Sequence, residues 1–435
     1  MSKIRNISGF PEWLPAEKRL EDSIVDQVKQ IYALHGYTPI ETRSVELMST
    51  LASKGDINKE IYVVQRAQAE ETSVDDDTFA LHFDLTVPFA RYVSQYFNDL
   101  TFPFKRYQLQ RSWRGERPQE GRFREFYQFD ADVVAIDNLP ICHDAEMVTI
   151  ATKIFRKLAL GDFTVRINNR KLLLGIYEHF GLNGEQRQDA ITIIDKIAKI
   201  GREQVIAELQ KISVNSEIAN KIVTTAELQM APSEVAKGLR ALEISSDTFQ
   251  QGLLEMEELI SLLPLAAQAN VVVDMSLARG LDYYTGTIIE TVLNDYQSFG
   301  SVCGGGRYDN LTERFSSKKV PGVGISVGVT RLMSLILAKN LAPIVAASPT
   351  KVLITLYNEE QIVKAFQIAE EMRELGVATE VFHKPLKLGK QIEFADKKNI
   401  PYILFLQDDG SIEIKDLKTK EQKKISLASW CAEIA

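Results

Sequence analysis

Residues 104–134 read FKRYQLQRSWRGERPQEGRFREFYQFDADVV, and no other segment constrains the architecture as tightly. The two-residue period of an extended chain puts Arg106, Gln108, Gln110, Ser112 and Arg114 on one face, with Tyr107, Leu109 and Trp113 on the other. Gly115, Pro118 and Gly121 then punctuate a charged loop, and a return strand sets Phe126, Gln128, Asp130 and Asp132 at one parity. The segment predicts an antiparallel pair with arginines on one strand and a ring, an amide and two carboxylates on the other. A solvated sheet face with cross-strand ion pairs, each contributing up to about 1 kcal/mol, is the ordinary explanation of such a pattern. It leaves Phe126 exposed to no purpose. A nucleotide site accounts for the whole set: a flat ring for a base, guanidinium forks for phosphate oxygens, and acceptors for a donor-rich second substrate.

A second polar constellation lies downstream, where residues 279–284 read RGLDYY. The valines at 271–273 predict a buried strand and residues 285–291 another, so the cluster sits at a strand end or on a sheet surface. A tight turn with Gly280 at positive φ, Arg279 paired to Asp282 and tyrosines as packing would be the structural explanation. The hairpin upstream favours the functional one.

Together these residues resemble the class II aminoacyl-tRNA synthetases. Arg114, Glu116 and Phe126 fit motif 2 of that class, and residues 322–331, with Gly324, Gly328 and a final Arg331, look like motif 3. Residues 279–284 and 304–309 (GGGRYD) resemble the two signatures of the histidyl-tRNA synthetases, and residues 84–88 (DLTVP) are similar to that family's amino-acid-binding loop. These segments appear in the expected order, from near the start of the chain to about residue 335. Two positions depart from the pattern: Arg43 stands where motif 1 usually has a proline, and Thr330 where an acidic residue usually precedes the last arginine.

The resemblance implies an α+β catalytic domain, an antiparallel sheet flanked by helices, in two parts over residues 1–169 and 266–338. Residues 170–265, rich in helix formers and without strand-like alternation, read as an inserted helical domain. Residues 345–435 alternate strands (351–356, 379–382, 402–406) with helices (359–375, 388–398), a small α/β domain where the family has its anticodon-binding domain. Lys384, Lys387, Lys390, Lys397 and Lys398 there could supply phosphate contacts. Residues 15–34 form an amphipathic helix stopped at Gly36, and 37–45 a strand; the pair resembles motif 1, which implies a homodimer.

The implied reaction is activation of L-histidine by ATP, then transfer to tRNA(His). Arg114, Arg279 and Arg331 would be catalytic. Arg114, Glu116, Phe126 and Arg331 would bind ATP, with Mg2+ bridging phosphates. Asp84, Leu85, Thr86, Arg114, Gln128, Asp132, Arg279, Tyr283 and Tyr284 would bind histidine, and Arg117 and Gln119 would approach the acceptor end. A histidine sensor without catalysis and a plain tRNA-binding module are the competing classes; keeping both the signatures and the C-terminal domain argues against the first, and the arginine clamp against the second.

The remaining composition fits. The 435 residues are 45% hydrophobic and 25% charged, which suits a globular chain of two or three domains. No run of about 18 apolar residues and no signal-peptide core occurs, so a cytoplasmic protein without membrane insertion is expected. Cys142, Cys303 and Cys431 form no CxxC pair, and the five histidines have no ligand spacing, so no protein-held metal is expected. There is no P-loop, no dinucleotide fingerprint and no Ser-His-Asp arrangement. The net charge of -8 argues for basic residues grouped locally if RNA is bound.

Overall fold

The computed structural model describes residues 4–52, 60–68, 74–278, 284–343, 346–407 and 409–434. It divides into two compact units, Met1–Pro11 with Ile24–Ala342, and Glu12–Ser23 with Pro343–Ala435.

In the first unit the strands are β1 (Thr38–Pro39), β2 (Val45–Leu47), β3 (Phe79–Leu81), β4 (Phe104–Trp113), β5 (Glu125–Val134), β6 (Phe163–Asn169), β7 (Gln229–Met230), β8 (Val271–Asp274), β9 (Thr287–Leu293), β10 (Cys303–Tyr308) and β11 (Gly322–Gly328). Nine of them form one sheet in the order β1-β4-β5-β11-β10-β9-β6-β8-β7. Its six central strands, β4 to β6 in that order, are antiparallel throughout, and only the β1/β4 and β6/β8 pairs are parallel.

The register carries the parity seen in the sequence across the sheet. Gln108 lies opposite Asp130, Asp130 opposite Ser326, Ser326 opposite Gly304, Gly304 opposite Glu290, and Glu290 opposite Arg166. One face of six strands is therefore polar or bare. The other face is apolar: Tyr32 of the helix Pro15–Leu34 sits edge-on to Phe129 at 5.0 Å between centroids and against Tyr107 at 5.9 Å, and its hydroxyl donates to the Phe129 carbonyl. The helix Cys142–Leu158 covers the same side further along, where its Asp144 pairs with Arg307.

The helix Pro15–Leu34 has the expected bounds, with Gly36 at φ 79°. The strand expected over 37–45 does not form at that length. Only Thr38 and Pro39 pair with β4, because Pro39 has no N–H, and the Gln108 and Gln110 amides bond to the Thr42 hydroxyl, the Thr42 carbonyl and the Ser44 hydroxyl instead. β2 pairs with β3 in a separate ribbon. Arg43, in the place of the usual proline, pairs with buried Glu46, which also takes Arg91 at 2.7 Å.

Between β6 and β8 the chain is almost entirely helical. Asn169, Asn183, Asn215 and Ser246 each accept a backbone N–H at a helix start, which satisfies donors that the first turn leaves orphaned. The helices Arg170–His179 and Asp247–Leu262 cross at glycines: a Cβ on Gly175 would lie 2.4 Å from the Phe249 nitrogen, and one on Gly252 2.8 Å from that of Leu172.

The second unit holds β12 (Val352–Ile354), β13 (Thr379–Val381), β14 (Tyr402–Leu406), β15 (Ile412–Asp416) and β16 (Gln422–Lys424) in the order β13-β12-β14-β15-β16. β12 is parallel to both neighbours, and β14, β15 and β16 are antiparallel. Val352, Ile354, Leu404 and Leu406 pack on Ile368, Met372 and Trp430, while Leu353, Ile403 and Phe405 pack on Phe382, Ala395 and Ile400. Burial on both faces explains why β12 and β14 read as continuous apolar runs. The hairpin β15-β16 and the helix Leu427–Ile434 complete the unit beyond the expected pattern.

Candidate active site

On the polar face of the large sheet lies a cleft of about 990 Å³. Asp84, Thr86, Arg114, Glu116, Phe126, Gln128, Asp132, Tyr284 and Arg331 all line it, although they come from segments spread over almost 250 positions. Leu85 does not: its side chain is fully buried, and its carbonyl receives the Phe89 amide. Arg279 and Tyr283 lie outside the described residues.

Asp84 precedes the helix Thr86–Gln95 and accepts the Val87 N–H at 3.1 Å. Burial raises its carboxyl above the usual range, while that amide and the nearby Arg114 pull it down. Arg114, one residue past β4, donates from Nε to the Phe83 carbonyl at 3.0 Å, and its Cζ lies 5.1 Å from the centre of the Phe126 ring. The loop between β4 and β5 closes through paired backbone bonds between Gln119 and Arg122, with Gly121 at φ 70°. A Cβ at Gly121 would meet the Phe299 ring at 2.9 Å, so the turn needs a bare residue on both counts.

Arg331, on the helix Val329–Lys339, is held by two backbone oxygens: Nε donates to Gly121 and Nη1 to Ser301, each at 2.7 Å. It thereby ties the loop to the far side of the cleft. Thr330, in the place of the usual acidic residue, accepts the Tyr127 N–H at 2.8 Å and fastens this helix to the strand bearing Phe126 and Gln128. A carboxylate is not needed for that bond.

The floor holds a buried charge cluster. Arg106, with no exposed surface, places Nη2 2.8 Å from Asp132 Oδ2 and 3.9 Å from Asp130 Oδ2. The Tyr308 hydroxyl donates to Asp132 Oδ1 at 2.7 Å. Burial raises both carboxyls, that of Asp130 to about 7, with Arg106 opposing the shift and Asp132 adding to it. Gln128 donates to the Ser326 hydroxyl at 3.0 Å.

Glycines keep the floor open. A Cβ on Gly324 would fall 2.0 Å from Asp132 Oδ1, and one on Gly306 2.7 Å from the Tyr284 ring. By the same parity Gly304, Gly306 and Tyr308 face the cleft, whereas Arg307 faces the back of the sheet and is committed to Asp144 and the Leu139 carbonyl.

Residues given no site role from the sequence also line the cleft: Asp130, Ser326 and Tyr308 on the floor, Arg166 and Glu290 beyond them, and Asp195, Ile197 and Lys199 from the helical segment. Strand parity had already put Asp130 on the polar face, and Tyr308 lies within the second signature. Nothing local could have found the others. Elsewhere, His35 and His143 share the carboxylate of Glu146 despite being far apart in sequence, and Lys105 reaches it at 2.9 Å. Among the described residues no group of three or more His, Cys, Asp or Glu is arranged to hold a metal ion, and no helix is long and apolar enough to cross a membrane.

An antiparallel six-stranded core, with the arginine-bearing hairpin at one side and a glycine-rich strand entering the arginine helix beside it, defines a class II aminoacyl-tRNA synthetase catalytic fold. Comparison with known proteins narrows it. The model of the family described as histidyl-tRNA synthetase matches residues 9–332, and that of the anticodon binding domain matches residues 351–435. The histidine–tRNA ligase of Thermobifida fusca (strain YX) is 44% identical, covering 98% of this chain and 97% of its own; that of Clostridium tetani (strain Massachusetts / E88) is 38% identical, covering 97% and 95%. The crystal structure of histidyl-tRNA synthetase from Nostoc sp. PCC 7120 superposes with a TM-score of 0.90 at 35% identity, over 100% of both chains. The chain belongs to the histidyl-tRNA synthetase family, whose enzymes are ATP-using aminoacyl-tRNA ligases.

Proposed function

We propose that this chain joins L-histidine to tRNA(His) in two steps. A histidine carboxylate oxygen attacks the α-phosphorus of ATP, the bond to the bridging oxygen breaks, and diphosphate leaves; a ribose hydroxyl of the tRNA terminus then attacks the carbonyl carbon and releases AMP. The observation that supports this reading is the single cleft that gathers Arg114, Phe126 and Arg331 beside Asp84, Gln128, Asp132 and Tyr284.

Charge accumulates on the phosphate oxygens during the first step, so fixed cations and positioning lower the barrier without covalent chemistry. Arg114 and Arg331 supply the cations, and Arg279 joins them by its place in the signature. Phe126 offers the adenine a flat ring, and Glu116 its edge acceptor. Asp84 and Thr86 receive the α-ammonium. Gln128, Asp132 and Tyr284 surround the side chain, Tyr283 is assigned there by its place in the signature, and buried polar groups that only the right ring can satisfy reject substrates without its donors by about four orders of magnitude.

Magnesium fits as a companion of the nucleotide, since it binds largely through phosphates and water with one or two carboxylates. Glu120, an exposed loop carboxylate lining the cleft, would help hold it; bound there it would neutralise charge on the outer phosphates. The second unit would take the anticodon arm, the motif 1 segment would build a homodimer, and the enzyme would work in the cytoplasm. ATP–diphosphate exchange that depends on histidine tests the proposal. Exchange without histidine specificity, or none, would overturn it.

A further inference from the structure

The loop between β4 and β5 carries Arg114 at its entry and Phe126 just past its exit, and the ladder that supports it ends at the pair of Trp113 with Glu125. Beyond that pair, the base of the loop is held by two segments far away in the sequence. On the exit side one carbonyl, that of Gly9, accepts both the Arg124 N–H at 2.8 Å and the Glu125 N–H at 3.1 Å. The Arg124 carbonyl in turn accepts the Arg114 N–H at 2.9 Å, so the hold on residue 124 passes directly to Arg114. On the entry side the Glu60 carbonyl accepts the Gly115 N–H at 2.7 Å. Phe10 joins the two sides, its ring edge-on to that of Tyr62 at 6.3 Å between centroids.

This clasp is built for close fit rather than for burial. Gly9 sits at φ 85°, and a Cβ there would lie 2.8 Å from Pro118 Cγ and 3.1 Å from Arg124 Cβ, so a bare residue is what brings its carbonyl to both amides. Ile4 and Ile7 in the same segment are 99% and 68% exposed, so the segment adds little to a core. The Glu60 side is anchored, since the Tyr62 carbonyl accepts the Leu81 N–H and Val64 donates to the Phe79 carbonyl, each at 2.8 Å, which ties the clasp to β3. Neither Gly9 nor Phe10 lines the cleft. Strand ends without such partners open at little cost, and a reacting group displaced by about 1 Å loses as much as about 100-fold in rate. We infer that Gly9 and Phe10 are positioning residues for the activation step, holding the base of the loop so that the Arg114 guanidinium and the Phe126 ring keep their 5.1 Å spacing at the nucleotide end of the cleft. This rests on the histidine-activating reading above and adds to it a device outside the substrate pockets.

In the full-length protein, histidine-dependent diphosphate exchange gives kcat and KM for both substrates. Gly9→Ala should lower kcat/KM for ATP about tenfold, as a side chain forced into left-handed backbone works against the clasp, and should change KM for histidine less than about threefold. Phe10→Ala leaves the Gly9 backbone as it is, so it reports even if the Gly9 variant does not fold; a loss of about threefold is expected, and Phe10→Tyr, which keeps the ring, should restore it. Exchange of the Arg114, Arg124 and Glu125 amides should quicken in the impaired variants, while that of Val133, at the far end of β5, stays as in wild type. A merely structural role would lower the urea midpoint and leave the kinetic constants of the folded enzyme unchanged. Unchanged kcat/KM for ATP in the folded variants, or a histidine KM that rises in step with that for ATP, overturns the inference and leaves the proposed function standing, whereas a wild type without histidine-dependent exchange removes both.

Discussion

Replacing Arg106 with methionine keeps most of the side-chain volume and removes the cation that faces Asp130 and Asp132 at 3.9 and 2.8 Å. Both carboxyls are almost fully buried, so water cannot take its place. The variant escapes the cost of an unpaired buried charge by taking up a proton. From the ordinary value of 3.8, protonation at pH 7 would cost about 4 kcal/mol, at about 1.4 kcal/mol per pH unit, and because burial already raises Asp132 in the wild type that figure is an upper bound. That agrees with the roughly 3–5 kcal/mol measured when one partner of a buried pair is removed. At pH 5 the same protonation costs only about 2 kcal/mol. The sign follows from linkage: a carboxyl whose value is raised by folding stabilises the fold fully below its unfolded value and loses that contribution as pH rises through the folded one. Asp130, already raised to about 7, gives wild type and variant alike such a loss over the same window, so the gap between them reports on Asp132. Arg106→Met should therefore lie up to about 4 kcal/mol below wild type at pH 7 and up to about 2 kcal/mol below at pH 5. Because the chain has two units, the readout should be local: amide hydrogen exchange of Phe129 and Ala131 in β5, across urea concentrations at both pH values. A variant within about 1 kcal/mol of wild type at pH 7, or a gap that does not close at pH 5, would refute the electrostatic account.

Arg331→Ala should raise KM for ATP in diphosphate exchange at least about tenfold, since a lost charge-assisted contact costs about 1.5–3 kcal/mol; an unchanged ATP dependence would remove its assigned role. Gly324→Ala places a methyl where Asp132 Oδ1 sits, so histidine KM should rise more than tenfold by the order of overpacking energies, about 1–3 kcal/mol, with ATP KM nearly constant. Thr330→Val leaves the Tyr127 N–H without its acceptor and should cost about 1–3 kcal/mol, seen as faster exchange of that amide. Equal protection of Tyr127 in both proteins would show the bond to be dispensable.

Sequence alone determined the alternation of β4 and β5, the polar set it puts on one face, and the glycine, arginine and tyrosine segments that mark the family. These are local properties: side-chain direction in a strand depends only on counting by two, and turn glycines on their own backbone. It also located the helical stretch and the apolar strands of the second unit, while missing β15 and β16, which are short and rich in charged residues and so give little hydrophobic contrast. Only the tertiary structure decided that the polar face is buried rather than solvated, that Arg307 turns away from the cleft, and that Leu85 stays in the core. It also decided what each aspartate pairs with. Tyr308 reaches Asp132 from 176 positions away, and Ser326 and Gly324 arrive on β11. Whether a buried acceptor is satisfied is a sum over every neighbour within about 3 Å, and those neighbours are set by strand order and register, which no window of sequence contains.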